Sequence, residues 1–138
     1  MIKKLWINLP VKDVAKSREF YTAIGFKLNE QYGNGDHSAS VLVGEDNVNV
    51  MLFPQAQFDQ FTRHKGTDTA QGSQVLFSFD AESPEELDSI MSKVESAGGS
   101  IYAKAGWNQG WMYGSGFCDP DGHRWNILHM DFEKMPRG

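Results

Sequence analysis

A single cysteine, Cys118, excludes an internal disulfide and fits a reducing compartment. Long apolar runs are missing too. None approaches the roughly 20 residues that a bilayer-spanning helix needs, and Met1-Ile2-Lys3-Lys4 leads into a strand-like run, not the core of a signal peptide. The expectation is a cytoplasmic protein with no membrane partner. Basic residues are in deficit, 13 Lys and Arg against 18 Asp and Glu, for a formal net charge of -5. That balance supplies no positive field to hold a phosphate backbone, so nucleic acid is not an expected partner. Apolar side chains are plentiful, at 40% of the 138 residues with 12% aromatic. This is enough for one well-buried domain, whereas two independent domains would each be small.

The most ordered stretch lies late in the chain, from Gly114 to Asp131. Asp119-Pro120-Asp121-Gly122 supplies an Asp to open a turn, a proline that presets φ and a glycine that takes positive φ. Apolar and aromatic runs flank it, which predicts a β-hairpin. Earlier, Lys4 to Val11 alternates as a strand, with Trp6, Asn8 and Pro10 on one face. Asp13 is placed to cap a helix in which Val14, Ser17, Phe20, Tyr21 and Ile24 recur at helical spacing before Gly25. Phe26 to Gln31 and Ser38 to Val43 read as strands around the turn-rich Gly33-Asn34-Gly35-Asp36. Val48 to Phe53 reads as the next, with Asn49, Met51 and Phe53 on one face.

The region 54–72 is polar, reads as a linker with the potential to act as a lid, and has Phe58 and Phe61 spaced to anchor one short helical stretch. After it the same order returns. Gln74 to Asp80 alternates as a strand, Ser83-Pro84-Glu85-Glu86 is a capping box, and Leu87, Ile90, Met91, Val94 and Ala97 form a helical stripe ended by Gly98-Gly99. Ser100 to Lys104, Trp111 to Cys118 and His123 to His129 complete a second βαβββ unit. The expected class is α+β, one domain of two tandem modules: module one 1–53, linker 54–72, module two 73–131 and tail 132–138. Trp6 is taken as equivalent to Gln74, and Met51 to Asn126.

The doubled βαβββ pattern, Leu9-Pro10-Val11-Lys12-Asp13 followed by Ser17, Phe20-Tyr21 and Ile24-Gly25-Phe26, and the terminal Asp119-Pro120-Asp121-Gly122 resemble the vicinal oxygen chelate superfamily, also called the glyoxalase/bleomycin-resistance/dioxygenase superfamily. Gly110-Trp111-Met112-Tyr113-Gly114 is similar to the subgroup of predicted lactoylglutathione lyases. The resemblance implies two curved half-barrel sheets around a cavity, often within a homodimer. It also implies four strand positions where metal-dependent members place His, Glu, His or Gln, and Glu; these match Trp6, Met51, Gln74 and Asn126.

At those positions the side chains are an indole, a thioether and two carboxamides. A divalent cation entering a cavity sheds its hydration shell, and anionic or imidazole ligands offset that cost. No cofactor is therefore expected, with a divalent metal such as Zn, Ni, Mn or Fe as the alternative. Among the histidines, His37, His64 and His123 read as surface or edge residues. His129 points away from Asn126 by strict alternation, and a β-bulge would turn it inward, which makes it the best substitute ligand or acid/base beside Gln74 and Asn126. Trp6, Asn8, Asn49, Met51, Gln74 and Asn126 are candidate ligand-lining residues. Trp107, placed between Gly106 and Gly110 in a stretch able to move, joins Trp111 and Tyr113 as residues for which lining and core remain equally open. Trp125 reads as core.

Two functions follow from the resemblance. One is a metal-independent protein that binds a small organic ligand between the modules, similar to bleomycin-resistance proteins. The other is a glyoxalase-like lyase or isomerase acting on a small oxygenated or thiol-adduct substrate. A partner-binding module is the third reading, favoured where side chains fill the cavity.

Overall fold

The computed structural model describes residues 1–31 and 37–136, and the turn read at Gly33-Asn34-Gly35-Asp36 lies outside them. The chain forms two compact units, Met1–Gly72 and Ser73–Gly138. In the first, strand β1 (Trp6–Val11), helix α1 (Val14–Ile24) and strands β2 (Lys27–Leu28), β3 (Ala39–Val43) and β4 (Val48–Pro54) are followed by helix α2 (Gln55–Thr62). The sheet order is β1-β4-β3-β2. The first strand runs parallel to β4, with Trp6 opposite Asn49 and Asn8 opposite Met51. The other pairings are antiparallel.

Helix α1 forms where the sequence signals it. The Asp13 side chain accepts from Lys16 N at 3.1 Å, satisfying one of the free N–H groups of the first turn. Gly25 closes the helix at φ 121°, a conformation costly for a side chain with Cβ. The stripe Val14, Phe20, Tyr21 and Ile24 is buried, as are Leu9, Val11, Val41, Val50 and Leu52 from the strands. Each fully buried apolar side chain of this kind contributes about 1.5–3 kcal/mol.

The second unit repeats the order with strand β5 (Leu76–Asp80), helix α3 (Pro84–Val94) and strands β6 (Ser100–Asn108), β7 (Met112–Cys118) and β8 (Arg124–Met130). Its sheet order is β5-β8-β7-β6, with β5 parallel to β8 and Ser78 opposite Asn126. Ser83 Oγ accepts from Glu86 N at 3.1 Å, and Glu86 Oε1 accepts from Glu82 N at 3.3 Å. This reciprocal cap starts α3. Leu87, Met91 and Val94 from α3 are buried, and so are Phe117, Trp125 and Ile127. Trp125, at 2% exposure, stacks on Phe117 with an interplanar angle of 4° and meets Phe77 at 4.8 Å between ring centroids. It is core, as alternation predicts. The hairpin turn forms through Asp119, whose Oδ1 accepts from Asp121 N at 3.0 Å and His123 N at 2.8 Å.

The short helical stretch expected around Phe58 and Phe61 forms as the eight-residue helix α2, seated beside β4 by an edge-to-face contact of Phe61 with Phe53 at 5.1 Å. Other elements differ from the sequence expectation. Trp107 is not in a loop between glycines but inside β6, which runs on to Asn108 through two register shifts near Ala103. A bulged strand tolerates the weak local pattern that made this segment look like a turn. Trp111 precedes β7 in a turn where Gln109 and Gly110 both have positive φ. Gln74 lies in a bend before β5, which begins at Leu76, and the strand expected from Phe26 to Gln31 shrinks to Lys27–Leu28.

Replacement of Trp125 by Ala is expected to cost about 3–5 kcal/mol, against about 1 kcal/mol for Ser83→Ala; urea denaturation of the two variants measures both.

Candidate functional site

A sheet covered by a helix on one side leaves its other face for function, and alternation assigns each side chain to one or the other. In the first unit Ile7, Leu9, Val50 and Leu52 point to the helix side, while Trp6, Asn8, Asn49 and Met51 share the opposite face, as their pairing across β1 and β4 requires. Trp6 is 45% exposed. Asn8 is exposed, Met51 half-buried and Asn49 buried. Two residues that sequence reasoning missed hold Asn49 in place. Asn29 Nδ2 donates to Asn49 Oδ1 at 3.0 Å and to Ser40 Oγ at 3.2 Å, and Ser40 Oγ donates to Asn49 Oδ1 at 3.0 Å. All three are buried, a cluster that needs such mutual satisfaction. The pattern Ser40-Val41-Leu42 carried the signal for Ser40, since its parity opposes that of Val41.

In the second unit Asn126 lies on the face away from α3, with Arg124 two residues before it. Tyr102, another residue the sequence did not flag, donates from its hydroxyl to Asn126 Oδ1 at 2.6 Å and lies 3.2 Å from Trp125 O. Its ring crosses Gly116 so closely that a Cβ there would sit 2.4 Å from ring carbon Cζ. The Arg124 guanidinium lies 4.4 Å above the same ring, a cation–π arrangement. Burial pushes the Tyr102 hydroxyl above its ordinary value, against a smaller lowering by Arg124. It is therefore a neutral hydrogen-bond donor at physiological pH.

Other candidates are placed elsewhere. Trp107 and Tyr113 are cross-strand partners 5.2 Å apart, and the Tyr113 hydroxyl donates to Asp88 Oδ1 on α3 at 2.7 Å. They belong to the helix side, so they are not gathered with Asn126. The hydrogen bond to Asp88 also raises the Tyr113 pKa. Trp111 Nε1 is buried without a partner among the described residues. Gln74 is exposed ahead of its strand, and Ser78, not Gln74, faces Asn126. His129 pairs with Tyr113 on the helix side, and its Nδ1 lies 3.0 Å from the Ala81 carbonyl, which requires Nδ1 to carry the proton. The β7–β8 register runs without a shift, so no bulge turns His129 toward Asn126.

These residues do not fit a divalent metal. Among the described residues no three His, Cys, Asp or Glu side chains come together as a ligand set. Trp6 offers no lone pair, the Met51 thioether suits only soft ions, and Asn126 brings a single neutral amide oxygen that also accepts from Tyr102.

Comparison with known proteins agrees with this architecture. Residues 4–127 match the model of the Glyoxalase/Bleomycin resistance protein/Dioxygenase superfamily, and the chain belongs to that superfamily. A hypothetical protein from S. aureus is 33% identical with a TM-score of 0.79, over 93% of this chain and 94% of that one. A glyoxalase-related enzyme from Fulvimarina pelagi shares the fold at 17% identity and TM-score 0.77, over 93% and 88% of the two chains. So does a genomically encoded fosfomycin resistance protein from Listeria monocytogenes, solved with Mn(II) and a dihydroxypropylphosphonic acid, at 20% identity and TM-score 0.68 over 97% and 95%. A comparison with curated proteins found no match.

Because folding favours the neutral form of Tyr102, its contribution to stability is whole below the unfolded value of 10.0 and is lost as pH rises through the higher folded value. Stability measured by denaturation across an alkaline series should fall less steeply for Tyr102→Phe than for the parent chain.

Proposed function

We propose that this chain binds a small organic ligand without a metal ion, on a helix-free sheet face such as the one that carries Trp6, Asn8, Asn49 and Met51 in the first unit. The observation that supports this most directly is chemical. The four residues that the family resemblance matches to metal ligands, Trp6, Met51, Gln74 and Asn126, include no charged or imidazole side chain, and the Asn126 oxygen accepts from Tyr102. Aromatic and thioether surface with a few fixed amides suits an amphipathic organic molecule, which gains from apolar burial and is oriented by a small number of hydrogen bonds.

The lyase or isomerase reading asks more of these side chains. Proton abstraction next to a carbonyl needs a base within reach and positive charge for the developing enediolate. A metal supplies that charge in metal-dependent relatives. Here Asn126 and Ser78 are neutral neighbours, and the Arg124 guanidinium lies over the ring of Tyr102, which donates to Asn126. A homodimer, the assembly suggested by the family resemblance, completes the proposal.

Elemental analysis of purified protein is expected to find no stoichiometric metal, and chelation is expected to leave fold and ligand affinity unchanged. A tightly held ion, or conversion of a hemithioacetal at a rate that drops in Asn126→Ala, would overturn the binding reading in favour of the enzyme. Light scattering should return twice the chain mass of 15.5 kDa.

A further inference from the structure

The buried carboxamides of the first unit have a fixed polarity that starts at one backbone group. Gln31 N donates to the Asn29 side chain at 3.0 Å. Only the oxygen of a carboxamide accepts a hydrogen bond, so this contact identifies Asn29 Oδ1 without ambiguity. The atom of Asn29 that reaches Asn49 is then its nitrogen, and the Asn49 atom that receives it is an oxygen. Ser40 Oγ donates to that same oxygen, which uses both of its lone pairs. Asn49 is thereby left with its Nδ2 hydrogens directed away from the cluster.

Those hydrogens have no partner among the described residues, although Asn49 is only 8% exposed. The nitrogen is not among the buried unpartnered atoms, so it reaches solvent and can donate to a molecule in the space that Asn49 lines. Asn49 lines a cavity of about 980 Å³ contained within the first unit. Leu5, Leu28 and Leu42 line it as well, with Lys3, Lys4 and Lys27 supplying ammonium groups. None of these three lysines forms an ion pair among the described residues. Glu30 and Asp46 also reach the lining, so cationic groups outnumber anionic ones there by one.

An amide donor open to the cavity, apolar walls and a small excess of ammonium groups point to one ligand chemistry. We propose that this cavity binds a small amphipathic organic anion, its carboxylate accepting from Asn49 Nδ2 and paired with the lysine ammonium groups, its apolar body against Leu5, Leu28 and Leu42. The assignment rests on the metal-free binding reading and narrows it to acceptor-bearing ligands. An ammonium ligand would meet N–H groups at Asn49 where it needs lone pairs, and it is disfavoured there.

The test titrates the full-length, isotope-labelled chain with naphthoate and, in parallel, with the cation naphthylmethylammonium, by calorimetry and by the side-chain amide resonances. Naphthoate is expected to bind and to shift the Asn49 amide signal, with the cation about tenfold weaker or worse. Asn49→Asp, which turns the free donor into an acceptor while keeping the oxygen that Asn29 and Ser40 need, should weaken naphthoate by about tenfold or more. Lys27→Gln, at an exposed position that leaves the fold intact, should weaken it several-fold. Failure of naphthoate to bind, equal binding of the two probes, or naphthoate affinity unchanged in Lys27→Gln with the Asn49 signal unmoved would overturn the proposal. Binding that shifts Asn126 and not Asn49 would also overturn it while leaving the metal-free reading intact, and the metal content of the same preparation decides that reading separately.

Discussion

Each unit of this protein has one parallel strand pair at the edge of its sheet, and the side-chain arrangement on both sheets follows from the register of those two pairs. When β1 lies on β4 with Asn8 opposite Met51, alternation sends Leu9, Val11, Val50 and Leu52 to the helix and Trp6, Asn8, Asn49 and Met51 to the other face. A shift of one residue would exchange the two sets. In the second unit the pairing of Ser78 with Asn126 has the same consequence, with Phe77, Phe79, Trp125 and Ile127 toward α3. The apolar cores enforce the register, because a slip would expose Trp125 and Leu52 and bury carboxamides in their place.

Both helix-free faces use the same chemical device in different ways. Each has a carboxamide on the last strand of its module, Asn49 or Asn126, whose oxygen accepts from protein donors. In the second unit the donor is the Tyr102 hydroxyl, in the first the pair Asn29 and Ser40. Gly116 belongs to this device, since any Cβ would collide with the Tyr102 ring and push the hydroxyl off Asn126. An amide whose oxygen accepts from the protein keeps its own hydrogens free to donate.

The repeat with its two helices was legible because it rests on local signals: caps at Asp13 and Ser83, stripes of apolar residues at helical spacing, and glycine stops. Helix α2 and the extended β6 were harder to see, for opposite reasons. The first is polar and is seated by one aromatic contact, Phe61 on Phe53, between residues from different elements. The second keeps its strand through a bulged pairing that interrupts the period-two pattern. Of the candidate site residues, the set on β1 and β4 could be grouped by parity alone. Trp107 and Tyr113 could not be assigned a side that way, since the side α3 covers is a property of packing, made visible in the bond from Tyr113 to Asp88.

The sequence by itself determined which residues alternate and where helices start and stop, because these depend only on neighbours along the chain and on residue chemistry. Tertiary structure alone decided that Tyr102 reaches Asn126 across 24 positions, that Ser78 and not Gln74 stands opposite Asn126, and that Gln31, Asn29, Ser40 and Asn49 form one polarised chain of hydrogen bonds. Those facts come from strand register and side-chain reach between distant segments, and no local pattern encodes the direction in which a carboxamide points.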